Sequence, residues 1–126
     1  MEKLIKMTTK EELEKTLLSL KRVGDIEACA VISRDGLLMA SDIPQGVQAE
    51  TFAAMSATML GAAETAVSEL KKGIVERVIA ESKETKIITM GAGPKALIVV
   101  MTNPTVGLGL VLVEMGRASE KIKELL

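Results

Sequence analysis

TFAAMSATMLGAA, residues 51–63, carries no ionisable side chain over about three and a half helical turns. Charges stand only at its ends, at Glu50 and then at Glu64, Glu69, Lys71 and Lys72. A surface helix in a small domain ordinarily keeps a polar face along its whole length. A helix without one is expected to be covered on two sides. A domain of this size has one core to offer, so the second cover is most simply another copy of the same chain.

The helix is read from Ala49 to Lys72, roughly 35 Å at 1.5 Å per residue, with Gly73 closing it. A 100° rotation per residue gathers Phe52, Met55, Met59, Ala63, Ala66, Val67 and Leu70 on one stripe, which is expected to lie on a sheet. The opposite face holds Ala54, Ala57, Thr58, Gly61, Thr65 and Ser68, with Glu64 at its margin. Small side chains let two helices approach closely, so this face is the expected dimer contact, with Gly61 at the crossing. On that reading Gly61→Arg dissociates the dimer, because a long charge buried at a close crossing is costly. Two rival readings exist. One is a solvent-exposed Ala/Thr/Ser face kept for helix propensity. The other is a lipid contact, which lacks the large apolar anchors such a surface needs.

Downstream, Ile74–Ser82 reads as a strand whose Glu76, Arg77 and Glu81 suit a sheet edge. An unpaired edge can add a strand, so Val75, Arg77 and Ile79 join the expected interface, and two-fold pairing there would continue the sheet through the dimer. Lys86–Met90 follows, then the Gly91-Ala92-Gly93-Pro94 turn and Ala96–Met101, apolar on both faces and therefore central. Asn103-Pro104 breaks that strand. Leu108, Val111, Leu112, Met115, Ser119, Ile122 and Leu126 then recur at steps of three and four, an amphipathic helix. Its first turns, GLGLVLV, also admit a strand.

Upstream, Thr9-Lys10-Glu11-Glu12 reads as a capping box opening a helix that runs to about Arg22 with Leu13, Leu17 and Leu20 inward; Gly24 ends it. Ile26–Ser33 is a second strand apolar on both faces. Arg34-Asp35-Gly36 is a hairpin turn, Leu37–Ser41 the return strand, and Asp42–Gly46 a loop. The order is α-β-β-α-β-β-β-α over a single domain, residues 1–126. Hairpin turns make the sheet mostly antiparallel, and two strands buried on both faces require helices on both sides. The fold class is a three-layer α+β domain.

Composition narrows the chemistry. The 126 residues are 48% hydrophobic with a net charge of −1, one Phe, no Trp or Tyr, and eight Met. With no basic stripe and no stacking aromatics, nucleic-acid binding is disfavoured. There is no His and one Cys, so neither a Cys–His nucleophile pair nor a Cys/His metal cluster can form. Asp35 reads as a turn residue, not a catalytic acid. Gly107-Leu108-Gly109 and Gly91-Ala92-Gly93 lack the remainder of a phosphate loop or a dinucleotide site. No cofactor, metal or catalytic residue is expected. Lys3 and Lys6 are followed by a charged helix, not an apolar stretch, and the lone Cys29 fits a reducing compartment, so a soluble cytoplasmic protein without membrane insertion is expected.

AVISRDGLLMASDIPQGVQAETFAAMSATMLGAAE resembles the Roadblock (dynein light chain) domain family. The features that carry the resemblance are Val31–Ser33, Arg34-Asp35-Gly36, Leu37–Asp42, Gly46, Leu60-Gly61-Ala62-Ala63-Glu64 and the closing Leu108-Gly109-Leu110-Val111. Gln48 departs from the pattern, where relatives carry a capping Asp or Asn. The resemblance implies a five-stranded antiparallel sheet with the long helix on one face and the two terminal helices on the other. It also implies pairing through the long helices and edge strand. The activity implied is non-enzymatic: a platform for Ras-like small GTPases, a regulator of their cycle, or an adaptor on motor complexes. In gliding-motility members the dimer binds the GTPase across the paired helices and promotes hydrolysis. Arg22, Arg34, Arg77 and Arg117 are the arginines that could act on a transferring phosphoryl group. The runner-up function is a small-ligand sensor of a related three-layer fold. A third is a purely structural subunit of a motor- or motility-type complex.

Overall fold

A computed structural model describes residues 6–23 and 25–126; the predicted helix end at Gly24 lies outside them. The elements are α1 (Thr9–Lys21), β1 (Ile26–Ser33), β2 (Leu38–Asp42), α2 (Ala49–Glu69), β3 (Val78–Glu81), β4 (Lys86–Gly91), β5 (Ala96–Thr102) and α3 (Leu108–Leu125). The strands form one sheet in the order β2-β1-β5-β4-β3, every pair antiparallel. The fold is α+β, as the sequence predicts.

Both central strands are dry. Ala28 to Ile32 and Ala96 to Val100 are all buried at 0–1% exposure. Alternation sends Cys29, Val31, Ile98 and Val100 to one face, where Leu13, Leu17 and Leu20 of α1 and Val111, Met115 and Ile122 of α3 meet them. Ala30, Ile32, Leu97 and Val99 point to the other face, where Ala53 and Leu60 of α2 cover them. The GLGLVLV stretch is helical: α3 begins at Leu108, one residue after Gly107.

Four boundaries move for physical reasons. The capping box is not Thr9–Glu12 but forms one residue earlier: Thr8 accepts from the Glu11 amide at 3.1 Å while Glu11 reaches back to the Thr8 amide. Leu37 stays outside β2, because Gly36 takes the left-handed region at φ +88° in a three-residue turn closed by Ser33 N–H to Leu37 O. Helix α2 stops at Glu69 and not Lys72. Lys71 adopts φ +54°, and the Lys71 and Lys72 amides donate back to the Ser68 and Val67 carbonyls, a Schellman ending built on a non-glycine residue. The third strand is shorter than Ile74–Ser82. Residues 74–77 connect α2 to the sheet edge, and pairing with β4 starts only at Val78. Gln48, the departure from the family pattern, leaves α2 without a side-chain cap, yet the helix still begins at Ala49.

Thr89 of β4 is fully buried with no hydrogen-bond partner for its hydroxyl. Ile88 beside it belongs to the α1–α3 side, so Thr89 points toward α2. Removing an unsatisfied buried hydroxyl at nearly constant volume recovers its desolvation penalty. Thr89→Val is expected to raise the unfolding free energy by about 1 kcal/mol in urea titration.

Candidate interaction surface

The surface in question is α2 and what borders it. Its buried row is Ala53, Ser56 and Leu60, with Phe52 and Ala57 half-buried against the same cluster. The predicted sheet-facing stripe is therefore corrected. Phe52 does pack on the sheet, but Met55 is 61% exposed, Leu70 is 69% exposed, and Ala66 faces solvent. The reason is steric: small residues on α2 let it settle close over Ile32, Leu97 and Val99, where methionines would hold it off. Ser56 tolerates this position because its hydroxyl donates to the Phe52 carbonyl at 2.7 Å. That serine row was the signal sequence reasoning missed.

The face predicted to meet a second copy divides. Thr58, Thr65 and Ser68 are exposed, and Thr58 turns its hydroxyl back onto the Ala54 carbonyl at 2.8 Å. Ala57 faces the sheet instead, and Ala54 lies under the chain's own β1–β2 turn: a Cβ built on Gly36 would stand 3.4 Å from Ala54 Cα and 3.8 Å from Ala57 Cβ. Glu64 is engaged as well. Arg34 Nη1 donates to its two carboxylate oxygens at 2.9 and 3.1 Å, while Arg34 Nη2 donates to the Gly93 carbonyl at 2.9 Å. Gly91 makes room for this guanidinium, since a Cβ there would sit 2.8 Å from Nη2. Gly61 itself has open space above it. On the edge strand side, Val75 packs on the α2 cluster and Ile79 on the opposite one, while Arg77 is exposed, 3.8 Å from Glu76.

What remains uncovered is an apolar, uncharged strip: Met55, Ala62 and Ala66 along α2, with Met59 half-buried among them, leading to Leu70 and to Ile74, 90% exposed. It faces away from the β1–β2 turn. Contiguous exposed apolar surface of this kind marks a contact surface.

Little chemistry accompanies it. Arg34, held at three points, is not free to swing onto a bound nucleotide. Among the described residues no group of three or more His, Cys, Asp or Glu could hold a metal ion, and no helix is long and apolar enough to cross a membrane. The Cys29 thiol is buried, 3.9 Å from the Leu17 carbonyl; burial, aided by Asp42 and opposed by Lys21, pushes its pKa from 9.0 up to about 12. Such a thiol is a poor nucleophile. We expect no reaction with a maleimide at pH 8 until the chain is unfolded. The raised value also fixes a sign: the unfolded chain loses this proton first, so the stability is whole below pH 9 and is lost as pH rises toward about 12. Cys29→Ala should flatten that alkaline decline.

The chain belongs to the Roadblock/LC7 domain family, whose model matches residues 12–102. The uncharacterized protein MJ1340 of Methanocaldococcus jannaschii is 37% identical over 111 residues, covering 88% of this chain and 96% of that one. Among solved structures, one described as MglB with tetrameric arrangement superposes with a TM-score of 0.86 at 20% identity, covering 97% of this chain and 93% of the other. The gliding protein MglB from Thermus thermophilus gives 0.85 at 21% identity over the same shares. At such identities the likeness is one of fold.

Proposed function

We propose that this chain is a non-enzymatic homodimeric adaptor, paired through α2, that docks a Ras-like small GTPase across the paired helices and stimulates its GTP hydrolysis. The observation that carries the reading is the uncharged strip of α2 left open on a Roadblock/LC7 fold. A second copy is its occupant because the strip matches itself: it has no charge to complement, and an isologous contact uses one patch twice. The self-association named for an MglB relative supports the same choice. Thr58 and Thr65 border the strip, and the short β3 edge with Arg77 lies at its far end. With Arg34 engaged in its own chain, stimulation falls to the exposed Arg77, to Arg22 or Arg117, or to repositioning of the GTPase's own groups. The setting is the cytoplasm.

Light scattering after gel filtration tests the dimer. Pull-down with GTP- and GDP-loaded small GTPases from the same genome, followed by a hydrolysis assay, tests the partner. A chain that stays dimeric but ignores every GTPase leaves the structural-subunit and ligand-sensor readings. A second reading, a ligand sensor, needs a cavity between sheet and helix, but Ala53 and Leu60 close that contact at 0–1% exposure. A depression of about 290 Å³ lies instead between α1 and α3, beside Met7, Leu20 and Ala118. A thermal-shift screen against metabolites addresses it.

A further inference from the structure

Helix α2 offers two flanks on which a second copy could pack. One is the strip of Met55, Met59, Ala62 and Ala66. The other is the small-residue flank centred on Gly61, which on residue type alone is the better site for close helix packing. Gly61 is bracketed on its sheet-ward side by Ala54, Ala57 and Glu64, at seven and four residues before it and three after, and on its outer side by the exposed Thr58 and Thr65. The β1–β2 turn occupies the sheet-ward three: Gly36 lies over Ala54 and Ala57, and Arg34 grips Glu64. The grip is fixed from behind by the Gly93 carbonyl, in the space that Gly91 leaves vacant. Three separated segments thus converge on one guanidinium, and its effect is to hold a hairpin against the flank.

We propose that the Arg34–Glu64 strap determines which face of α2 meets the partner copy: by pinning the β1–β2 turn beside Gly61 it bars close helix packing there and confines pairing to the methionine strip. The inference rests on the proposed pairing of two copies through α2. Arg34 acts as a specificity-determining residue without touching the partner. A geometry that excludes one association mode is as effective as contacts that favour another.

Because Cys29 is buried, single reporters introduced as Met59→Cys and Gly61→Cys, both near mid-helix, read by oxidative cross-linking which flank faces the second copy. In the otherwise native chain M59C should link readily and G61C about tenfold less, a difference on the scale of one charge-assisted hydrogen bond. Adding Arg34→Gln, Glu64→Gln or Gly91→Ala, which crowds the guanidinium, should raise G61C cross-linking by about tenfold in each case. Arg34→Lys, which keeps a cationic donor for Glu64 but cannot also reach the Gly93 carbonyl as a fork, should restore part of the native ratio, which a merely structural loss would not do. Circular dichroism checks that each variant is folded. If the variants stay folded and dimeric with an unchanged M59C to G61C ratio, the strap is not selecting the face and the inference falls alone. If the native chain is a monomer by light scattering, the inference falls together with the pairing on which it rests.

Discussion

Met55→Arg should turn the proposed dimer into a monomer while leaving the fold of each chain intact. The side chain at this position is 61% exposed, so arginine meets no neighbour within its own chain. In the proposed pair, the same position would lie in an apolar contact with no acidic residue along the strip to receive it. Burying an unpaired charge costs several kcal/mol, and a loss of about 3 kcal/mol weakens association by about a hundredfold. Light scattering at micromolar concentration reads the change, and an unshifted far-ultraviolet dichroism spectrum shows that the chain still folds. Gly61→Arg is the control. The sequence alone assigns Gly61 to the crossing and predicts that this change dissociates the dimer. The structure assigns that flank to the hairpin and leaves open space above Gly61, so the variant is now expected to remain dimeric. A monomeric G61R beside a dimeric M55R would return the interface to the small-residue face.

The second large effect is expected inside. Leu60 is 1% exposed at the middle of α2 and closes the contact with Ala30, Ile32, Leu97 and Val99. Leu60→Ala removes the largest buried side chain that the helix gives to this layer, and a cavity remains because the sheet cannot sink to fill it. A cost of about 3 kcal/mol is expected, within the span of buried leucine truncations. Urea titration in the Met55→Arg background measures it, since a dissociating dimer would add a concentration term to the apparent stability. A loss under about 1 kcal/mol would mean that α2 is held by its flanks and not by its inner row.

These two substitutions mark where the sequence was legible. The central strands could be read because apolar residues on both faces of Ile26–Ser33 and Ala96–Met101 admit no other position in a sheet. The hairpin turns could be read because Arg34-Asp35-Gly36 and the Gly91 to Pro94 stretch carry their own conformational chemistry. The rotation of α2 could not be read. Its inner and outer faces are both uncharged, so periodicity had nothing to orient it, and large methionines mimic a core stripe while Ala53 and Ser56 in fact make the close contact. Nor could the engagement of Glu64 be read, because Arg34 lies 30 residues away and nothing local links them. The family resemblance supplied the layer arrangement; only the geometry distinguished the two flanks of α2.

The sheet order has a consequence for how the chain is made. Strand β1 pairs on one side with β2, which follows at once, but on the other with β5, whose first residue comes about seventy positions later. At ordinary rates of synthesis that gap is roughly 4–14 s on the ribosome. Throughout it the nascent hairpin holds out a greasy strand edge, and the face away from α1 stays bare until α2 is made, a ready target for chaperones and for sticking to its own kind.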